Sequence, residues 1–353
     1  MDTSNFGIEI DFLAVGKGKR SADAIAIRYG DLQSGDASRQ QVIIIDGGTK
    51  ESGQALVDHV KQHYGTSFVD LVIMTHPDRD HASGLTQVLE GLTVEELWMH
   101  QPWEHSEDIH QRFVDGRITT SSLERRLRVS MDAAHEVEVA AKSKGITIIE
   151  PFAGTRSTDG VITVLGPTEE YYLDLLPDFS KTPESKSLME KAFSYVKKAI
   201  EWVTEKFDEE HLPGDETSAE NNSSSIILFQ IAGRKYLIVG DAGVPALLAA
   251  RDYASSIGIS LDDLQFMQVP HHGSKKNVST EVLDAIKASS AFVSAAANAA
   301  PKHPSQRVIN ALTKRGTNVF VTAGSGKRHR HNSPNRQGWS GIEPRGYEST
   351  YQE

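Results

Sequence analysis

Cysteine is absent from the chain, so neither a disulfide framework nor a thiolate metal site is possible, and any metal must sit on His, Asp, Glu or carbonyl oxygen. No apolar run approaches the roughly 20 residues of a membrane helix, which argues against membrane insertion. The opening Met-Asp-Thr-Ser-Asn-Phe lacks the basic start and apolar core of a secretory signal, and the expected location is the cytoplasm. Positive charge is also scarce, with a net of −11, whereas phosphate contacts need Lys and Arg. That deficit is local, because residues 169–220 hold 14 Asp or Glu against 6 Lys, a net of −8 that leaves −3 for the rest. Global charge therefore does not exclude an anionic substrate. With 353 residues the chain is long enough to bury a substantial core without staples.

Short apolar or alternating runs at 8–12, 24–28 and 41–45, separated by turns, read as a β-meander whose third strand ends in Asp46-Gly47-Gly48. Residues 69–74 read as a buried strand that delivers Thr75-His76, and 94–99 as the next. From 100 to about 220 the alternation breaks. The patterns there predict helices over 123–144 and 186–210, with strands at 146–150 and 161–165. Met189, Phe193, Val196, Ile200, Val203 and Phe207 draw one helical stripe, which reads as a cover for the core or a dimer surface. Strands return at 225–231, 235–239, 265–269, 291–294 and 318–322, alternating with helices. The organisation expected is a first half over 1–99, a mainly helical insertion with some core strands over 100–220, a second half over 221–324, and a basic, flexible tail over 325–353.

Thr75-His76-Pro77-Asp78-Arg79-Asp80-His81 puts four metal-competent side chains within six positions, on a loop leaving a buried strand. A lone His or Asp on a loop is usually a turn residue or a solvated side chain. Four together, where α/β scaffolds place chemistry, point to a metal site. His100, His105, His110 and His135 lack ligand spacing and read as structural. His329 and His331 fall in Lys327-Arg328-His329-Arg330-His331, which reads as a solvated tail.

The run resembles the His-x-His-x-Asp-His signature of the metallo-β-lactamase superfamily, with Asp78 in place of the second His. Together with Pro270-His271-His272-Gly273-Ser274 it is similar to the hydrolase domain of the ComEC competence proteins, a likeness that spans about residues 8–99 and 221–324. The resemblance implies a four-layer αββα fold and one or two divalent ions, Mn or Zn with Mg as a further option. It implies that His76 and Asp78 serve one site, Asp80 and His81 a second, that Asp241 bridges them, and that Asp46 supports from a strand end. One of the adjacent His271 and His272 is expected to ligate; His271 is favoured for the second site, with His272 behind it or touching substrate. Asn221 or Asn222 stands where many members have a third His. Asp80, His272 and His303 are the expected catalytic side chains, with His303 as proton donor, and Asn222, Ser224, Ser274 and Lys275 the expected substrate contacts.

Two ions bridged by Asp241 and a water would supply hydroxide near neutral pH. Carboxylate in place of imidazole at Asp78 suits manganese or magnesium better than a His-rich site does. The function expected is a metal-dependent phosphodiesterase or nuclease acting on nucleic acid or a nucleotide phosphodiester. The alternatives are a hydrolase of a small ester, lactone or thioester, and a partner-binding protein with a degenerate site that docks or dimerises through the insertion.

Overall fold

In the strand Gln40–Gly47, Val42 and Ile44 join one buried cluster while Ile43 and Ile45 join another, the period-two pattern of a strand covered on both faces. The same division runs through Ile226–Ile231, where Ile226 and Leu228 face one way and Ile227, Phe229 and Ile231 the other. Strands of this kind need cover on both sides, and they build two stacked sheets.

A computed structural model describes residues 5–15, 20–179, 212, 214, 217–299 and 303–349. The first sheet holds β1 (Gly7–Phe12), β2 (Ala24–Gly30), β3 (Gln40–Gly47), β4 (Phe68–Ile73), β5 (Thr93–Trp98), β6 (Thr147–Ile149) and, beside β1, β13 (Lys327–His331). The second holds β7 (Ile162–Gly166), β8 (Ile226–Ile231), β9 (Arg234–Ile238), β10 (Leu264–Gln268), β11 (Ala288–Val293) and β12 (Asn318–Val321). In each sheet four neighbouring strands run parallel, β3 to β6 and β9 to β12.

Between the sheets lies a core of Ile8, Ile10, Phe12, Ile25, Ile73, Trp98, Phe229, Ile238, Phe266 and Phe292 among others. Outside the first sheet pack α1 (Lys50–His59), α2 (Arg79–Ala82), α3 (Leu85–Gly91), α4 (Thr120–Ser130) and α5 (Asp132–Ser143). Outside the second pack α6 (Val244–Ser256), α7 (Thr280–Ala285) and α8 (Gln306–Lys314). Three apolar clusters thus separate four layers, helix–sheet–sheet–helix, as expected.

Two departures from the sequence reading matter. The helix expected over 123–144 breaks at Met131 (φ −113, ψ 46), where Asp132 turns its own side chain to accept from the Ala133 N–H. Asp favours this local bond over an unbroken helix. The expected basic tail over 325–353 begins with a strand: Lys327–His331 pairs antiparallel with β1 from Ile8 to Phe12. Within 100–220 the strands read from the sequence at 146–150 and 161–165 are present, as β6 at the edge of the first sheet and β7 at the edge of the second. The helix expected over 186–210 lies outside the described residues. Among the described residues no helix is long and apolar enough to cross a membrane.

Candidate metal centre

The parallel strands of both sheets end at one rim, and their terminal loops meet there. Asp46 closes β3, Thr75-His76 follows β4, Asp241 follows β9, His271-His272 follows β10 and Ser294 follows β11. Close approach needs missing side chains. A Cβ on Gly84 would lie 2.0 Å from the Gly47 carbonyl oxygen, and one on Gly240 (φ 52) 2.8 Å from Thr75 Oγ1. Asp46, His271 and His272 all hold left-handed backbone, at φ 56, 46 and 55. Such conformations cost energy in non-glycine residues and cluster at functional sites.

Each imidazole is held by its rear nitrogen. Asp46 Oδ1 accepts from the Thr75 N–H at 2.8 Å, and Asp46 Oδ2 from Thr75 Oγ1 and His81 Nδ1 at 2.7 Å each. Since the Thr75 hydroxyl spends its hydrogen on Asp46, it accepts from His76 Nδ1 at 3.0 Å. His272 Nδ1 donates to the Ser294 carbonyl at 2.9 Å, and His271 Nδ1 to Asn277 Oδ1 at 3.0 Å. With every Nδ1 committed as donor, every Nε2 of a neutral ring carries a lone pair.

Those lone pairs converge on Asp241. Its Oδ2 lies 3.9 Å from His76 Nε2 and 3.6 Å from His271 Nε2, and its Oδ1 lies 3.5 Å from His81 Nε2. Asp78 Oδ2 stands 3.7 Å from His76 Nε2, and Asp80 Oδ2 4.0 Å from His272 Nε2. Asp78 occupies the N-cap position of α2 yet makes no side-chain cap bond, so its carboxylate is left for the cleft. Ligand atoms of His76, His81 and Asp241, and separately of Asp80, His81 and His272, lie within 4.8 Å of one another. Buried His76 Nε2, His81 Nε2, His272 Nε2 and Asp241 Oδ1 have no hydrogen-bond partner. Four buried polar atoms aimed at one space without partners are costly. A divalent cation bound by mixed nitrogen and oxygen donors satisfies them all.

The electrostatics agree. Burial and the neighbouring His81 lower the His76 pKa, but Asp78 and Asp241 outweigh them and hold it above the usual imidazole range. Burial likewise opposes the charge on His81, yet Asp241 and Asp46 hold its pKa well above that range. Asp241 is pushed up by burial and pulled well below the usual carboxylate range by His81, His271 and His272.

His272, rather than the favoured His271, stands with Asp80 and His81. The left-handed turn leaves the planes of the adjacent rings inclined at 70°, and they reach different carboxylates, His271 Nε2 facing Asp241 and His272 Nε2 facing Asp80. His271 thereby falls on the His76 side, beside Asn221, whose amide lies 3.2 Å from His271 Nδ1. Not every expected substrate contact faces the cleft. Ser224 is fully buried and accepts from the Asp241 N–H, and buried Ser274 accepts from the Lys276 N–H in a turn. Asn222 is buried near Gly243, and Lys275 is half-buried on the turn after Ser274. His303 is half-buried, its ring 6.0 Å from that of His271. Burial first, then His271 and His272, bring its pKa down to about 4. His100 stacks on Tyr172 at 4.4 Å, away from the cleft.

Beside Asp78 and Asp80 opens a cleft of 310 Å³, walled by the 130–132 junction of the split helix and by Ser218 and Glu220. Arg79 pairs with Asp132 on this wall. Sequence reasoning missed Asp23, which is buried behind His81 and His272. Burial pushes it up to about 6, a rise that His272 and His81 partly offset and Asp241 and Asp46 reinforce.

None of the curated proteins compared matches the chain. Among solved structures, a metal-dependent hydrolase of the β-lactamase superfamily is similar over 91% of this chain and 98% of its own, at 11% identity and a TM-score of 0.45. A long form RNase Z from yeast is similar over 93% of this chain and 42% of its own, at 10% identity and a TM-score of 0.38. A sequence profile described as the metallo-beta-lactamase superfamily matches residues 37–296, a span that takes in Asp46, the His76 to His81 loop, Asp241 and His271-His272. With that span, the four layers and the cluster of unpartnered donors in agreement, the chain belongs to the metallo-β-lactamase superfamily, whose fold implies divalent metal ions.

Proposed function

We propose that this chain is a metal-dependent phosphodiesterase acting on nucleic acid or a nucleotide phosphodiester, with manganese as its preferred ion. The donor set carries the reading. Asp241 turns one oxygen toward His76 and His271 and the other toward His81, while Asp78 and Asp80 bring further carboxylates to the mouth. In this reading His76, Asp78, Asp241 and His271 hold one ion, and Asp80, His81, Asp241 and His272 the other. Oxygen-rich sites of this kind favour harder ions. When bound, the ions activate water and offset the charge that develops on a phosphoryl oxygen.

The chain's own residues supply the rest. Asp46 and Thr75 lock the His76 and His81 tautomers, and the cleft volume lies at the lower end of the range for small-ligand sites, about 300–1,000 Å³. In this reading Arg79 on the cleft wall and Lys276, exposed on the turn after Ser274, serve the phosphate. His303 is held neutral in the free protein and gains a proton only beside an arriving anion. The motif set shared with the ComEC hydrolase domain, which is implicated in DNA degradation, supports the same substrate class.

The test is a substrate panel of single- and double-stranded DNA, RNA, a cyclic dinucleotide, and ester, lactone and thioester compounds. Chelated protein is assayed with Mn²⁺, Zn²⁺ or Mg²⁺ restored. The expected result is phosphodiester cleavage, fastest with Mn²⁺, that a His76→Ala/His81→Ala double variant loses together with at least one equivalent of bound metal. Acyl hydrolysis without phosphodiester cleavage, or no turnover of any substrate, overturns the reading.

A further inference from the structure

Asp23 has a setting that no structural role explains. It enters β2 from the first sheet and is fully buried. Its Oδ2 accepts from Gln268 Nε2 at 2.8 Å and lies 3.8 Å from His81 Nδ1. Its Oδ1 lies 3.9 Å from His272 Nδ1 and has no hydrogen-bond partner. No Lys or Arg pairs with it among the described residues, and its nearest acidic neighbours are Asp46 and Asp241. A buried carboxylate placed for stability is paired and fully hydrogen-bonded. This one faces further negative charge and keeps an oxygen unmatched, so it costs the metal-free fold stability.

What holds it there is specific. Gln268, itself buried, accepts through Oε1 from the N–H groups of Val239 and Gly240, the strand end that delivers Asp241. One amide therefore ties Asp23 of the first sheet to the Asp241 strand of the second. Ser294 Oγ donates to the Ala22 carbonyl at 2.7 Å, and the Ala296 N–H to Ser21 Oγ at 3.2 Å, which fixes the preceding residues against the same second-sheet loop. The Asp23 N–H donates to the Asp80 carbonyl at 3.4 Å. Asp23 thus touches both ligand-bearing loops and stands at the rear of two imidazoles that come from different sheets.

We propose that Asp23 is a positioning residue of the metal centre: clamped by Gln268, it presents one buried negative charge to the rear edges of His81 and His272 at once and so raises the affinity of the side formed by Asp80, His81 and His272. The inference rests on the reading that these imidazoles bind a divalent ion. The rear hydrogens of the two rings go to Asp46 and the Ser294 carbonyl, so Asp23 acts on them through its charge at 3.8 and 3.9 Å, making each front nitrogen a stronger donor. Removal of outer partners of ligating imidazoles typically weakens metal binding by about 10–100-fold. In the absence of metal the same charge has no compensating cation, so stability and affinity pull in opposite directions at this position.

The test is Asp23→Asn in the full chain, with two readouts: the melting temperature after chelation, and the Mn²⁺ and Zn²⁺ dissociation constants from competition with a chromophoric chelator. The expected result is an unchanged or higher metal-free melting temperature together with metal binding weakened about 10–100-fold. A lower melting temperature with dissociation constants within about twofold of wild type would mark Asp23 as a structural residue and overturn the proposal. Wild-type protein that binds no ion would overturn both this proposal and the reading beneath it, whereas unaltered affinity in the variant overturns this one alone. Should Asp23→Asn fail to fold, Asp23→Ser removes the charge, leaves a hydroxyl to accept from Gln268, and is held to the same two readouts.

Discussion

Five of the buried carboxylates among the described residues are treated in two ways. Glu9 and Asp11 project from β1 on the face away from the inter-sheet core, and each of their four oxygens has a donor. Arg28 grips Glu9 with two bonds of 3.0 Å, Arg328 adds a third contact, and Arg336 spans Glu9 at 2.6 Å and Asp11 at 2.8 and 2.9 Å. Tyr64 donates to Asp11 at 2.7 Å, and His59 Nε2 lies 3.1 Å away. Asp23, Asp46 and Asp241 share their space with histidines instead of arginines, and two of these carboxylates keep an oxygen with no partner. The first arrangement is complete within the protein. The second is incomplete within the protein, and its positive charge must come from protons on His76 and His81 or from a bound cation. Equal burial thus marks structure in one place and function in the other, and the difference is hydrogen-bond completeness.

The largest expected effect breaks the complete cluster. Arg336→Ala leaves buried Asp11 without its guanidinium and Glu9 with one donor fewer, and should cost about 3–5 kcal/mol, read as a lower denaturant midpoint, while metal content stays at wild-type level. Loss of metal from that variant would mean that the two clusters are coupled. Next comes removal of the ion. Chelation of wild-type protein should lower stability by about 2.7 kcal/mol relative to protein held at 100-fold excess over the dissociation constant. A melting temperature indifferent to chelator would contradict the incomplete-cluster account.

Acid should undo the first cluster. Burial raises the pKa of both Glu9 and Asp11, but Arg28 for Glu9, and His59 and Arg336 for Asp11, more than compensate and leave both lowered. Their contribution is therefore fully present above the unfolded values, about 4.3 and 3.9, and is lost as pH falls through these toward the folded ones. Unfolding free energy measured on chelated protein should drop steeply below about pH 4, and Glu9→Gln should flatten that drop. The smallest stability effect is expected for Asp78→His. Its side chain is 44% exposed and caps nothing, so the change should cost less than about 1 kcal/mol. Competitive binding should show preference moving from Mn²⁺ toward Zn²⁺. An unmoved preference would remove Asp78 from the ligand set.

What could be read without coordinates follows range along the chain. The loop from His76 to His81 packs its donors into six positions, so local spacing carries it, whereas Asp46 and Asp241 at their strand ends are weak signals alone and become legible through the family resemblance. Asp23 sits in Ala22-Asp23-Ala24 with no spacing signal, and its clamp Gln268 is 245 residues away. The basic run from Lys327 to His331 reads as solvent-facing because the acid that anchors Arg328 lies 319 residues upstream. Ser224 and Ser274 show a different limit: a motif places a residue at a site but does not fix which way its side chain turns. The order of His271 and His272 depends on a left-handed turn that adjacent identical residues conceal.

The late pairing of β13 with β1 also bears on how the chain survives its own synthesis. Arg328 emerges 319 residues after Glu9, a delay on the order of 15–60 s at translation rates of about 5–20 residues per second. Through that interval β1 is the open margin of a growing sheet, the kind of exposed backbone that recruits strands from neighbouring chains. Until Arg328 and Arg336 emerge, Arg28 is the one arginine of the cluster beside Glu9 and Asp11, so the two acids together keep negative charge on this margin, and a second nascent β1 would bring the same charge against it. Charge of this kind on an open edge disfavours pairing between copies, the usual work of gatekeeper residues.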